Sequence, residues 1–165
     1  CHYLLDYPDY QSISSIAPVI LLYLTGYYLF RNSNSQKNQF KLNPKQPIWG
    51  KEPQTIGGKL LVSGFWGLSR HMNYTGDLIM ALAYCLPCGA QLGGYFYSIY
   101  LLILLLHRAY RDDAKCREKY SKLWKEYTNK VPYVFLPFNI LDAPLRKAGK
   151  ALYWLTNGKE ALKLE

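Results

Sequence analysis

The sequence predicts an all-α fold, a fragment of a polytopic transmembrane helical bundle with a short membrane hairpin and a cytoplasmic amphipathic helix. Three observations carry that prediction. Ile13 to Phe30 is eighteen residues without a charge, enough for a helix to cross a hydrocarbon core of about 30 Å. Two shorter apolar runs, Leu78 to Leu92 and Tyr95 to Leu106, follow each other closely, parted by Gly93-Gly94. The second run stops at His107-Arg108 and gives way to a dense row of ionisable side chains, as a helix does where it leaves a membrane.

The first span lies between Asp6 and Asp9 on one side and Arg31 on the other, and its Ser14, Ser15 and Thr25 are small hydroxyls of the kind tolerated at helix contacts. From Arg31 to Lys59 the chain holds Lys37, Lys41, Lys45, Lys51 and Lys59 against Glu52, a basic bias that places it in the cytoplasm. At roughly 1.5 Å per residue neither of the two shorter runs crosses comfortably by itself, so they read as a helical hairpin. Arg70 and Arg108 keep both its ends on the cytoplasmic side, with Asp77 at the entrance either costly or stabilised by a helix N-terminus. Lys115 to Lys130 reads as a polar surface helix, broken by Val131-Pro132-Tyr133 and Pro137. The chain divides into residues 1–140 and a basic, helix-prone tail, 141–165, of no assigned role.

At 165 residues, half of them hydrophobic, the chain suits one domain. Sixteen Tyr and four Trp match the aromatic enrichment of membrane interfaces. A formal charge of +9 favours an anionic partner: lipid headgroups, a phosphorylated cofactor or nucleic acid. The last lacks any reading element, and no G-x-G-x-x-G or P-loop is present, so a nucleotide must be held in some other way. Cys85-Leu86-Pro87-Cys88 has the spacing of a redox or half-zinc motif, yet it sits in an apolar run without a second pair or a nearby His, which favours packing thiols; no metal site is expected. The chain starts without Met or a basic n-region and reads as a piece of something longer rather than as a secretory signal.

Chemistry concentrates in two places. If the row after Leu106 continues as a helix, Asp112, Cys116 and Tyr120 share one stripe with Lys119 beside them and Tyr127 two turns on; the competing reading is an ordinary solvated face. At the mouth of the hairpin, Arg70-His71-Met72-Asn73-Tyr74 either anchors the interface or, with backbone donors at the helix start, lets Arg70 hold a phosphate or carboxylate. Asn73-Tyr74-Thr75 is formally a glycosylation acceptor, but a cytoplasmic placement leaves it unmodified.

These residues carry a likeness. His107-Arg108-x-x-Arg111-Asp112-x-x-x-Cys116-x-x-Lys119-Tyr120 with Trp124, Tyr127 and Val131-Pro132-Tyr133 resembles the C-terminal pattern of the sterol reductases, a family that includes sterol delta-14 reductase, 7-dehydrocholesterol reductase and the lamin B receptor. Gly58 to Gly67, Arg70-His71-x-Asn73-Tyr74-x-Gly76-Asp77-Leu78, and Gly26 to Arg31 with Gln36-Lys37-x-x-Phe40 match it too. The resemblance implies a multi-pass endoplasmic reticulum enzyme that reduces a sterol ring double bond with NADPH. Its partners would be the sterol, membrane lipids and the missing N-terminal half of the same protein, with no nucleic acid. It implies that Lys37 and Lys41 meet phosphate, that Leu61 and Trp66 pack on the cofactor, and that Asn73 and Tyr74 bond it. Asp112, the run Cys116, Arg117, Glu118, Lys119 and Tyr120, and Tyr127 complete the pocket.

Lys41 stands where the family usually has Arg and loses the bidentate fork; Ser121 stands where Gly is usual. The upstream Asn-Pro-Arg-containing segment that helps form the sterol pocket is absent, so this chain by itself should turn over little or nothing. Asp77 to Ala83 and Ser35 to Asn38 lean to the delta-14 branch, Phe65-Trp66 and Ile48 to Lys51 to the delta-7 branch, and delta-14 is the choice. A ring alkene without a conjugated carbonyl is not electrophilic, so a protein acid must protonate it before hydride adds, and Asp112 is the candidate for that proton path. The rivals are a membrane methyltransferase using S-adenosylmethionine, whose Arg-His-Pro pattern is not reproduced at Met72, and a nuclear-envelope binding protein like the lamin B receptor.

Overall fold

A computed structural model describes residues 13–89, 92–135 and 142–157. Asp6, Asp9, Pro137 and the end of the basic tail lie outside the described residues. The chain is mainly helical, in the order α1 (Ile13–Leu42), a two-stranded hairpin β1 (Thr55–Ile56) and β2 (Leu60–Leu61), a single turn α2 (Phe65–Leu68), α3 (Met72–Cys85), α4 (Phe96–Tyr120), α5 (Lys122–Lys130) and α6 (Asp142–Asn157).

The α-helical expectation therefore needs one correction, because β1 and β2 pair antiparallel with Ile56 opposite Leu60. Gly57 and Gly58 between them both take positive φ, 58° and 67°, which a tight hairpin turn of the primed type requires and side chains resist.

Three boundaries also move. The first helix does not stop at Phe30 but continues to Leu42. Its polar stretch bonds back onto its own carbonyls: Asn32 Nδ2 donates to Tyr28 O at 2.9 Å, Ser33 Oγ to Leu29 O and Asn34 Nδ2 to Phe30 O at 2.9 Å. These side chains find partners on the helix itself, so the polar stretch stays helical. The first hairpin arm ends at Cys85, not Leu92, since Pro87 has no N–H to continue the ladder and short 3₁₀ turns at Leu86–Cys88 and Leu92–Tyr95 take over. Finally, the polar helix does not begin at Lys115. The apolar run and the ionisable row form one continuous α4, broken from α5 by Ser121 at φ 45°.

Helices α3 and α4 run antiparallel. Near the turn Cys85 Sγ and Ser98 Oγ lie 2.9 Å apart, and at the far end Tyr74 clusters with Leu105, Leu106 and Ala109, with Leu78, Leu101 and Leu102 packed against that cluster. Helix α1 crosses α3 with backbone against backbone at Gly26 and Gly76. The segment after α5 then clamps the start of α3. The N–H of Arg70 donates to Tyr133 O at 3.0 Å, that of His71 to Val134 O at 2.9 Å, and Thr75 Oγ1 to Phe135 O at 2.8 Å. Val131 and Phe135 are wholly buried there. Helix α6 lies along α4, with His107 Nε2 3.1 Å from Thr156 Oγ1.

Among the described residues one helical stretch, Leu92–Tyr120, is by length and composition able to cross a membrane. Large apolar side chains on it stay exposed, including Phe96, Ile99 and Ile103, as do Ile20, Leu21 and Leu24 on α1. An uncovered apolar surface of this extent calls for lipid or another protein surface against it.

Candidate functional site

The polar half of α1, the α2 turn, the start of α3 and the polar half of α4 converge. Trp66 is fixed from three sides: its Nε1 donates to Ser33 O at 2.8 Å, its carbonyl accepts from the Tyr127 hydroxyl at 3.2 Å, and Lys37 Nζ sits 4.3 Å from its ring centroid. The α2 turn enters through Gly64 at φ 64°, where a Cβ would collide with Gln36 Oε1, the atom that accepts from the Phe65 N–H at 3.0 Å. Leu61 and Trp66 are core side chains, packed with Phe40 and Ile48, and Lys37 lies over the Trp66 ring.

On α3, the Tyr74 hydroxyl donates to Asp112 Oδ2 at 3.1 Å. Its ring stacks on His71, centroids 4.8 Å apart and planes 12° apart, and the Arg108 guanidinium lies 5.6 Å from the ring centre. Burial, then the Asp112 charge, push the phenol up to about 12, so it keeps its proton at neutral pH. Burial pushes the His71 imidazole down to about 3, with the positive charges of Arg70, Lys37 and Arg108 adding to it; His71 is therefore neutral. Desolvation, then the charge of Lys41, push the Lys37 ammonium down, while Cys116 and Asp112 on α4 work the other way.

Asn73 joins α1 through its Nδ2, which donates to Asn34 Oδ1 at 3.3 Å, while its own Oδ1 is buried with no hydrogen-bond partner among the described residues. Cys116 and Tyr120 face inward and pack with Ile56, Val62, Trp124 and Tyr127. Lys37, Trp66, Asn73, Tyr74, Asp112 and Cys116 are thus drawn together, with Tyr127 joined through Trp66 and Leu61 and Tyr120 in the flanking cores. Lys41 lies a turn beyond Lys37, and both are exposed. Arg117, Glu118 and Lys119 are exposed too, Lys119 lying over the Tyr120 ring at 5.3 Å.

Asp113, unremarked in the sequence, proves central. It holds Arg70 at 2.8 Å and Arg117 at 3.2 Å, and accepts from Trp124 Nε1 at 3.2 Å. Arg70 also donates to Pro132 O at 3.3 Å. Its role is therefore to lock α3, α4 and the 131–135 segment together, and not to present a cation to a phosphate. The signal that could have exposed Asp113 is its position four residues before Arg117, on the stripe next to Asp112.

A family model described as Ergosterol biosynthesis ERG4/ERG24 matches residues 1–140. The chain is 53% identical over 128 residues to a Delta(14)-sterol reductase of Arabidopsis thaliana, covering 77% of this chain and 35% of that protein. It is 48% identical over 149 residues to a 7-dehydrocholesterol reductase of Xenopus laevis, covering 82% and 32%. It is 48% identical over 140 residues to the Delta(14)-sterol reductase TM7SF2 of Mus musculus, covering 82% and 34%. The chain spans about a third of the length of these curated relatives. The likeness to the sterol reductases is borne out, and the chain belongs to the Ergosterol biosynthesis ERG4/ERG24 family.

Proposed function

We propose that this chain is the cofactor-binding part of a membrane enzyme of sterol biosynthesis that reduces the delta-14 ring double bond with NADPH. The observation that carries the reading is the Tyr74 hydroxyl bonded to Asp112 within electrostatic reach of Lys37. The first relative named above, at 53% identity, supports delta-14 over delta-7.

The donor set fits a reduced dinucleotide phosphate. Lys37 offers a cation beside an indole ring, and Asn73 Oδ1 offers a buried acceptor that awaits a donor. NADPH, when bound, supplies the hydride. The protein must supply the proton and exclude water, because protonating one alkene carbon leaves a tertiary carbocation at the other that water would trap. A phenol held near 12 is a poor acid, so Tyr74 serves to fix the Asp112 carboxyl, and Asp112 lies on the proton path. Arg108 and Lys37 set the charge around it, while neutral His71 holds the Tyr74 ring. The sterol pocket needs the remainder of the protein. The exposed apolar faces of α1 and α4 suit a multi-pass endoplasmic reticulum protein whose membrane hairpin is the apolar part of α3 from Leu78 onward and of α4 up to Leu106.

The test is a chimera in which residues 1–140 replace the matching third of the Arabidopsis Delta(14)-sterol reductase, expressed in cells without delta-14 reductase activity and read by sterol profile. Restored delta-14 reduction that Asp112→Ala abolishes is the expected result. Conversion of delta-7 sterols instead moves the assignment to that branch, and binding of S-adenosylmethionine but not NADPH moves it to a methyltransferase.

A further inference from the structure

We infer that Asn34, which no motif singles out, is a positioning residue that makes Asn73 a hydrogen-bond acceptor for the dinucleotide. The inference rests on the NADPH reading above and deepens it. The two ends of an amide side chain are alike in shape and opposite in chemistry, so which end of Asn73 meets a ligand follows from the bonds behind it.

Those bonds begin at a backbone carbonyl, which can only accept. Phe30 O lies 2.9 Å from the Asn34 amide, so the atom there is Nδ2 and it donates. Asn34 must then turn Oδ1 toward α3, where it accepts from Asn73 Nδ2 at 3.3 Å. Asn73 is thereby left with its oxygen as the free end, and that oxygen is buried and unmet by any described residue. A buried acceptor without a donor is unfavourable, and native proteins keep such atoms rarely. A ligand that brings an N–H or O–H relieves it. A dinucleotide carries such groups in its carboxamide, its adenine amine and its ribose hydroxyls.

The surroundings agree. Asn34 stands one turn before Lys37 on the same face of α1, so the unmet acceptor of Asn73 lies against the stretch of α1 that carries the proposed phosphate cation. The helix crossing at Gly26 and Gly76 brings the two asparagines within bonding distance. Asn34 touches no ligand itself and acts through Asn73.

The experiment is NADPH binding to the chimera, read by nicotinamide fluorescence in the absence of sterol, together with steady-state kinetics, for Asn34→Leu, Asn73→Leu and the double variant. Asn34→Leu is expected to raise both the Kd and the KM for NADPH about tenfold, with kcat at saturating NADPH and the KM for sterol unchanged, and Asn73→Leu to weaken NADPH at least as much. The double variant is expected to be no worse than Asn73→Leu, since one interaction is lost once. Asn34→Ser, whose hydroxyl bonds back to the helix as Ser33 does and is too short for Asn73, gives the same split should leucine impair folding. An unchanged KM for NADPH in the Asn34 variants, additive losses in the double variant, or equal losses in kcat and sterol KM overturn the role. If the parent chimera turns over with NADPH and the Asn34 variants match it, only this inference falls. If the parent shows no NADPH-dependent turnover, the functional reading falls first.

Discussion

Gly26 and Gly76 meet backbone to backbone where α1 crosses α3: a Cβ on Gly76 would lie 2.6 Å from Phe30 N and 2.7 Å from Gly26 O. Backbone cannot step aside as a side chain can. Small residues at such a contact let helices approach closely in an apolar surround. The crossing sets the distance from Ser33 to Trp66 and from Asn34 to Asn73.

Gly76→Ala is therefore expected to destabilise the chain by about 1–3 kcal/mol, as overpacking does, and to weaken NADPH binding with it. Thermal unfolding in lipid nanodiscs checks this. Gly58→Ala, where a Cβ meets open space, should cost only the strain of its positive φ and leave NADPH binding as it was.

Ser121 breaks α4 from α5 at φ 45°, a region that suits glycine. Ser121→Gly should raise stability by about 1 kcal/mol without changing binding. A lower unfolding midpoint in this variant would contradict the strained break.

Asp113→Ala strands a buried Arg70. Loss of one partner of a buried pair costs about 3–5 kcal/mol, so the variant should fall well below Glu118→Ala, an exposed change expected within about 0.5 kcal/mol of the parent. Chemical denaturation of the two variants compares them. Equal midpoints would remove Asp113 from the lock.

Burial, then the charges of Arg70, Lys37 and Arg108, push the folded His71 imidazole down to about 3 from an ordinary value of 6.5. Between those values the unfolded chain binds a proton that the folded chain refuses, so this group's contribution to stability is whole above about pH 6.5 and is lost as pH falls toward 3. His71→Phe keeps a ring against Tyr74 and removes the proton. Its unfolding midpoint should fall less than the parent's between about pH 7 and pH 4.5; parallel curves would contradict the assignment.

The helices were legible where side-chain chemistry is local. The uncharged run to Phe30 and the stripe of Asp112, Cys116 and Tyr120 follow from spacing, and both lie on helices. The continuation of α1 past Phe30 was hidden because hydropathy sees Arg31 to Asn38 as polar, whereas Asn32, Ser33 and Asn34 bond back to the helix. The turn came early because Pro87 ends α3 before the glycine pair does. Asp113 escaped notice for a different reason: its partner Arg70 is 43 residues away, and no local pattern reports a contact made by folding. The site motifs pointed to Asn73, Tyr74 and Asp112, but the asparagine behind Asn73 needed the crossing of two helices to be seen.

The most direct test of the central claim is a titration of the chimera with NADPH, followed by nicotinamide fluorescence, for the parent and for Lys37→Glu and Tyr74→Phe. Saturable binding that Lys37→Glu weakens at least tenfold, that Tyr74→Phe also weakens, and that S-adenosylmethionine does not displace is the predicted result. Binding indifferent to both changes, or displaced by S-adenosylmethionine, would contradict the account.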